Sequence, residues 1–96
     1  MDVLITYDIA TADAAGAKRL RRIATVCEKY GQRIQFSVFE CRLTPARFAV
    51  LLTEIEEAID PKQDSVIVYR FPGNIEDSKR RYGRTLDHKR GDPWIV

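Results

Sequence analysis

One carboxylate stands where a strand should end. Asp8 interrupts the apolar stretch LITYDIAT, residues 4–11. An ionised carboxylate is costly to bury without a partner. Asp8 therefore caps the following helix, faces water, or binds a cation. A strand end beside a loop is a common station for a reacting group. Magnesium keeps several waters and needs only one or two carboxylates. In a two-fold dimer a second copy of Asp8 supplies the other. A cation held that way activates water and stabilises charge on a phosphodiester. No serine or cysteine with a histidine partner is evident, and His88, the single histidine, reads as a surface residue. One histidine also argues against a zinc site. Cys27 and Cys41 form no C-x-x-C pair and read as small buried hydrophobes.

Basic residues form a second constellation. Lys18, Arg19, Arg21, Arg22, Lys29 and Arg33 face one acid, Glu28, between positions 18 and 33. Lys79, Arg80, Arg81, Arg84, Lys89 and Arg90 face Asp87 between 79 and 90. Glu54, Glu56, Glu57 and Asp60 offset them, so the net charge of +2 conceals two basic patches and one acidic one. Such patches matter more than mean charge for a polyanionic partner. Arg19 and Arg22 share one helical face, Lys18 and Arg21 another. The cluster is either a solvated face or a phosphate-binding ridge with salt-dependent, sequence-tolerant affinity. Phe36 and Phe39 are either core or a base-stacking platform, but the glycine and aromatic pattern of the RNA-recognition module is missing.

These residues need elements to position them. Val3, Ile5 and Tyr7 alternate with Leu4, Thr6 and Asp8, a period-two pattern that predicts a central first strand. Leu20, Ile23, Ala24, Cys27 and Tyr30 recur on one face of a helix. Thr11 or Asp13 caps its start, and Gly31 is expected to end it in the left-handed region. Gly16 weakens the first turns, which predicts a flexible segment after Asp8. RIQFSVFECRL, residues 33–43, reads as one long strand or as a hairpin bent near Gln35–Ser37. Thr44 and Pro45 open a second helix with Phe48, Leu51, Leu52, Ile55 and Ile59 as its buried stripe, stopped by Asp60–Pro61. DSVIVYRF, residues 64–71, is the next strand. Pro93 argues that the closing GDPWIV is an edge or an addition. The expected class is α+β, a ferredoxin-like β-α-β-β-α-β arrangement with a C-terminal extra strand. Two helices cover one face of an antiparallel sheet. The domain spans 1–78, and a basic extension with the final strand spans 79–96. The sheet's other face has nothing in this chain to cover it, which points to a dimer.

The chain has 96 residues, 45% hydrophobic and 31% charged, which suits one globular domain. No apolar run is long enough to span a bilayer. MDVLITYD lacks the basic segment and cleavage site of a signal peptide, so the cytoplasm is the expected compartment and no membrane partner is expected.

YDI at the first strand, KRLRRIA on the first helix, YGQRIQFSVFEC through the middle and the threonine-started helix leading to VIVYRF together resemble the second universal CRISPR-associated protein family. The resemblance covers nearly the whole chain. RGDPWIV resembles the branch that works beside type I systems. The resemblance implies a ferredoxin-like homodimer, joined through sheet faces and C-terminal strands, that sits between dimers of the CRISPR integrase. It implies that this dimer binds the double-stranded DNA fragment, the protospacer, to be inserted as a new spacer. Several members are described as magnesium-dependent nucleases acting on RNA or duplex DNA. Asp8 is then the ligand for Mg²⁺ (or Mn²⁺), and Tyr7 a second residue tied to activity. Arg19, Arg22 and Arg33 fall at positions resembling family residues tied to activity, beside Lys18 and Arg21 of the basic ridge. Phe39, with Trp94, Ile95 and Val96, falls to the dimer or partner interface. Two readings of different class remain open, a metal-dependent endonuclease and a structural DNA-holding adaptor. A toxin-like ribonuclease on the same fold is a more distant third.

Overall fold

The computed structural model describes residues 1–83. The expectations for Trp94, Ile95 and Val96 and for most of the 79–96 extension lie outside them. The elements run β1 (Asp2–Asp8), α1 (Ala14–Tyr30), β2 (Gly31–Gln35), β3 (Val38–Arg42), α2 (Pro45–Ala58) and β4 (Ser65–Phe71), followed by a 3₁₀ turn (Ile75–Ser78). The sheet order is β2-β3-β1-β4, with every neighbouring pair antiparallel. This is the ferredoxin-like α+β arrangement, and β1 occupies a central position.

Alternation sorts the first strand. Val3, Ile5 and Tyr7 point into the core with Phe39 and Cys41 of β3, Ile23 and Cys27 of α1, and Leu51, Ile55 and Ala58 of α2. One cluster drawing on both helices and on one set of strand residues places both helices on the same sheet face. Removing a large apolar side chain such as Leu51 from water contributes about 1.5–3 kcal/mol. Leu4, Thr6 and Asp8 point to the other face.

The middle run is a hairpin. β2 and β3 turn at Phe36–Ser37, with a register irregularity between Arg33 and Gln35. Gly31 departs from expectation. It has φ −156°, extended rather than left-handed, and begins β2 with no intervening turn. Its lack of a side chain serves close packing, since a Cβ there would lie 2.3 Å from the Glu40 carbonyl oxygen and 2.4 Å from Cys41 Sγ. The second helix follows its sequence signals. Thr44 accepts from the Arg47 amide and Pro45 occupies the first helical position.

The 3₁₀ turn docks on the open face at the end of β1 away from Asp8. The Asp2 carboxylate pairs with Arg42 at 2.9 Å and accepts the buried Ile75 amide at 2.8 Å. Lys79 pairs with Glu40 at 2.7 Å. β1 is seven residues long, so the Asp2 anchor lies about 20 Å along the strand from Asp8, and Glu40, opposite Leu4, lies nearer.

Candidate functional site

Asp8 closes β1 opposite Ser65 of β4 and is exposed. Among the described residues its carboxylate has no hydrogen-bond or ion-pair partner. It caps no helix. That role falls to Asp13, whose carboxylate accepts the Gly16 amide at 2.8 Å. Around Asp8 the open face continues through Thr6, Val38 and Ile67, with Leu4 and Tyr69 further along. Ile67 and Tyr69 are 48% and 46% exposed, apolar surface that the described residues leave uncovered. No group of three or more His, Cys, Asp or Glu is assembled to hold a metal among the described residues. One unpaired carboxylate with open space before it fits a hydrated magnesium ion, which takes one or two carboxylates and waters. It does not fit an all-protein cage.

Tyr7 does not join Asp8. Strand alternation sends its ring to the helix face, where it is 7% exposed and stacks on Phe39 with ring centroids 6.2 Å apart. Burial pushes its hydroxyl up to about 12, and the hydroxyl donates to the Phe36 carbonyl at 3.5 Å. Tyr7, expected beside Asp8, thus lies on the opposite face and also braces the hairpin tip, where the Tyr7 amide donates to the Ser37 carbonyl at 3.1 Å. Phe39, expected at the dimer or partner interface, is fully buried in the protomer opposite Ile5 and belongs to its core. Cys27 and Cys41 are free and buried as expected, with burial pushing their thiols up to about 12 and about 11.

The basic residues divide into two sets. Lys18, Arg21 and Arg22 are exposed on α1 and make no ion pair among the described residues. They form the open part of the ridge. Arg19 faces inward instead, its side chain 18% exposed and its Nε 2.8 Å from Asp64 Oδ2. Arg33 lies between these cases. Its guanidinium sits 5.0 Å from the Phe39 ring centroid and 5.8 Å from that of Phe36, and it pairs with Glu28 at 3.2 Å. Phe36 itself is 59% exposed at the hairpin tip, next to the Asp8 end of the sheet.

Sequence reasoning misses Asp64. Its side chain has no solvent exposure and accepts hydrogen bonds from Arg19, the Ala10 amide and the Asp60 amide. Burial alone would raise its carboxyl. The Arg19 hydrogen bond and the two amides outweigh that and hold it below the usual carboxylate range. No local motif announces this pairing, because Arg19 and Asp64 are 45 positions apart. The one hint in the chain is a lone acid immediately before an apolar strand.

The site can therefore present a carboxylate to a cation on an open, partly apolar sheet face, with a separate cationic helix surface for phosphates. Comparison with known proteins places the chain among relatives. The family profile described as CRISPR associated protein Cas2 matches residues 1–85. A Chlorobaculum tepidum protein named CRISPR-associated endoribonuclease Cas2 is 44% identical over 91 residues, covering 91% of this chain and 95% of its own. A Halalkalibacterium halodurans protein named CRISPR-associated endonuclease Cas2 is 40% identical over 95 residues, covering 99% of each. Among solved structures, Streptococcus pyogenes Cas2 at pH 6.5 superposes with a TM-score of 0.77 at 44% identity, covering 86% of this chain and all of that one.

Proposed function

The chain belongs to the Cas2 family of CRISPR-associated proteins, and on that premise we propose that it is a homodimeric CRISPR adaptation protein with endonuclease chemistry at Asp8. In this reading the open sheet faces of two protomers meet, bringing two Asp8 carboxylates to the two-fold axis. They would hold Mg²⁺ or Mn²⁺, which when bound supplies an activated water and charge stabilisation at a phosphodiester. Lys18, Arg21 and Arg22 hold the backbone of duplex DNA or RNA, and the integrase is the protein partner. The cytoplasm is the compartment where both are met. The observation that carries the reading is the exposed Asp8 carboxylate, without a partner among the described residues, on an apolar face that the described residues leave open. Relatives bearing the names endoribonuclease and endonuclease support the chemistry.

A second reading draws on a different observation. One chain assembles no cluster of three metal-ligating side chains among the described residues, which suits an adaptor that holds DNA while the integrase does the cutting and joining. One pair of measurements separates them. Asp8→Ala should abolish Mg²⁺-dependent cleavage and leave dimer and duplex affinity intact, and spacer acquisition with co-purified integrase should fall with it. A variant that cleaves like wild type defeats the nuclease assignment. A variant that loses cleavage but still supports acquisition makes the adaptor role the physiological one.

A further inference from the structure

Asp8 ends its strand on a turn, and that turn is clamped. Gly16 predicts a flexible segment there, but the structure ties the turn down with hydrogen bonds. The Ala10 amide donates to Asp64 Oδ1 at 3.0 Å, and Arg19 Nη2 donates to the Ala10 carbonyl at 3.4 Å. Both backbone groups of Ala10, two residues beyond Asp8, are thus held by one ion pair. Gly16 closes the third side. A Cβ there would lie 1.9 Å from the Ala10 carbonyl oxygen, so only glycine lets α1 come this close. Asp64 also precedes Ser65, the residue that faces Asp8 across the β1–β4 ladder. The pair therefore fixes Asp8 along its own strand and across to the neighbouring one.

We propose that Arg19 and Asp64 act as a latch that sets the position of Asp8. They are positioning residues for the phosphodiester chemistry assigned above, and the proposal rests on that reading. A buried ion pair adds little net stability against an apolar replacement, so its main consequence here is geometric. Neither residue faces the open side of the sheet. Arg19 thus leaves the set of direct phosphate ligands, and Lys18, Arg21 and Arg22 remain in it.

The test uses Arg19→Gln, Asp64→Asn, their double variant and Arg19→Lys in the full chain. Ala10 amide exchange is measured by NMR, alongside kcat and KM for Mg²⁺-dependent cleavage of an RNA or duplex DNA oligonucleotide. Each neutral variant should speed Ala10 exchange at least about tenfold, as local opening is freed. Each should lower kcat by about 10- to 100-fold, the range expected from a reacting group displaced by about 1 Å, with KM unchanged. The double variant should match the singles, because either substitution alone already opens the latch. Arg19→Lys keeps the charge but cannot bridge Asp64 and Ala10 at once, so it should fall between wild type and Arg19→Gln. Should Asp64→Asn not fold, Arg19→Lys carries the same readouts. Unchanged Ala10 exchange in a folded variant overturns the latch. So does a raised KM in Arg19→Gln with Asp64→Asn at wild-type values, which makes Arg19 a direct ligand. Absence of cleavage by wild type refutes the nuclease reading instead, and Ala10 exchange then decides the latch alone.

Discussion

Asp2 and Asp64 tie distant parts of the chain together as ionised groups. Arg42 and the Ile75 amide hold the Asp2 carboxyl below its ordinary value, against the opposing effect of burial. Asp64 lies below its ordinary value too, with burial outweighed by Arg19 and two amides. The unfolded groups titrate near about pH 3.9. A depressed folded value contributes stability above that pH, and the contribution is lost as the pH falls through the folded value. The melting temperature should thus hold from neutral pH to about 5 and drop below about 4. Asp64→Asn should melt lower at pH 7 and lose less on acidification. An acid loss equal to wild type would remove Asp64 from the account. Gly31 makes a second residue-scale prediction. Its Cβ would meet a carbonyl oxygen and a buried sulfur, so Gly31→Ala should cost about 1–3 kcal/mol in urea unfolding, while Gly73→Ala, with open space around it, should cost far less.

At the scale of elements, α1 carries two kinds of cation. Lys18, Arg21 and Arg22 point outward without partners among the described residues, whereas Arg19 and Lys29 are engaged with Asp64 and Glu54. Replacing the three outward residues with glutamine should flatten the log–log salt dependence of duplex affinity by up to about 0.9 for each phosphate no longer neutralised. Arg19→Gln should leave the slope unchanged. Equal slopes for wild type and the triple variant would make the outer helix face merely solvated. The division is hidden in the sequence, since spacing places Arg19 and Arg22 on one face and says nothing of Asp64 beyond it. Elements with local causes are legible: the alternation of β1, the Thr44–Pro45 helix start and the stripe of Leu51 and Ile55. Features with distant causes are not. Gly31 resembles a helix cap because what it packs against, Glu40 and Cys41, lies on another strand. Tyr7 and Asp8 are adjacent and the family resemblance assigns both to one site, yet the pleat sends them to opposite faces.

The whole molecule is a helix layer on a sheet, 20 Å across in its shortest dimension, about the depth of two layers. The described residues therefore leave much of one sheet face uncovered. The 3₁₀ turn covers the Asp2 end of that face, and among the described residues its Asp8 end stays open, with Ile67 and Tyr69 half exposed. Apolar surface beside a lone carboxylate argues for a second copy that covers the one and completes the other. Ile67→Glu with Tyr69→Glu places like charges across such a two-fold interface while disturbing little inside the protomer, because both side chains already meet solvent. The double variant should sediment as a monomer with unchanged far-UV circular dichroism. It should also lose Mg²⁺-dependent cleavage although Asp8 is intact, since a single carboxylate per chain leaves the ion half its protein ligands. A variant that stays dimeric would move the interface off this face. A monomer that cleaves at the wild-type rate would show that one Asp8 suffices, and the shared site would then be wrong even with the dimer correct.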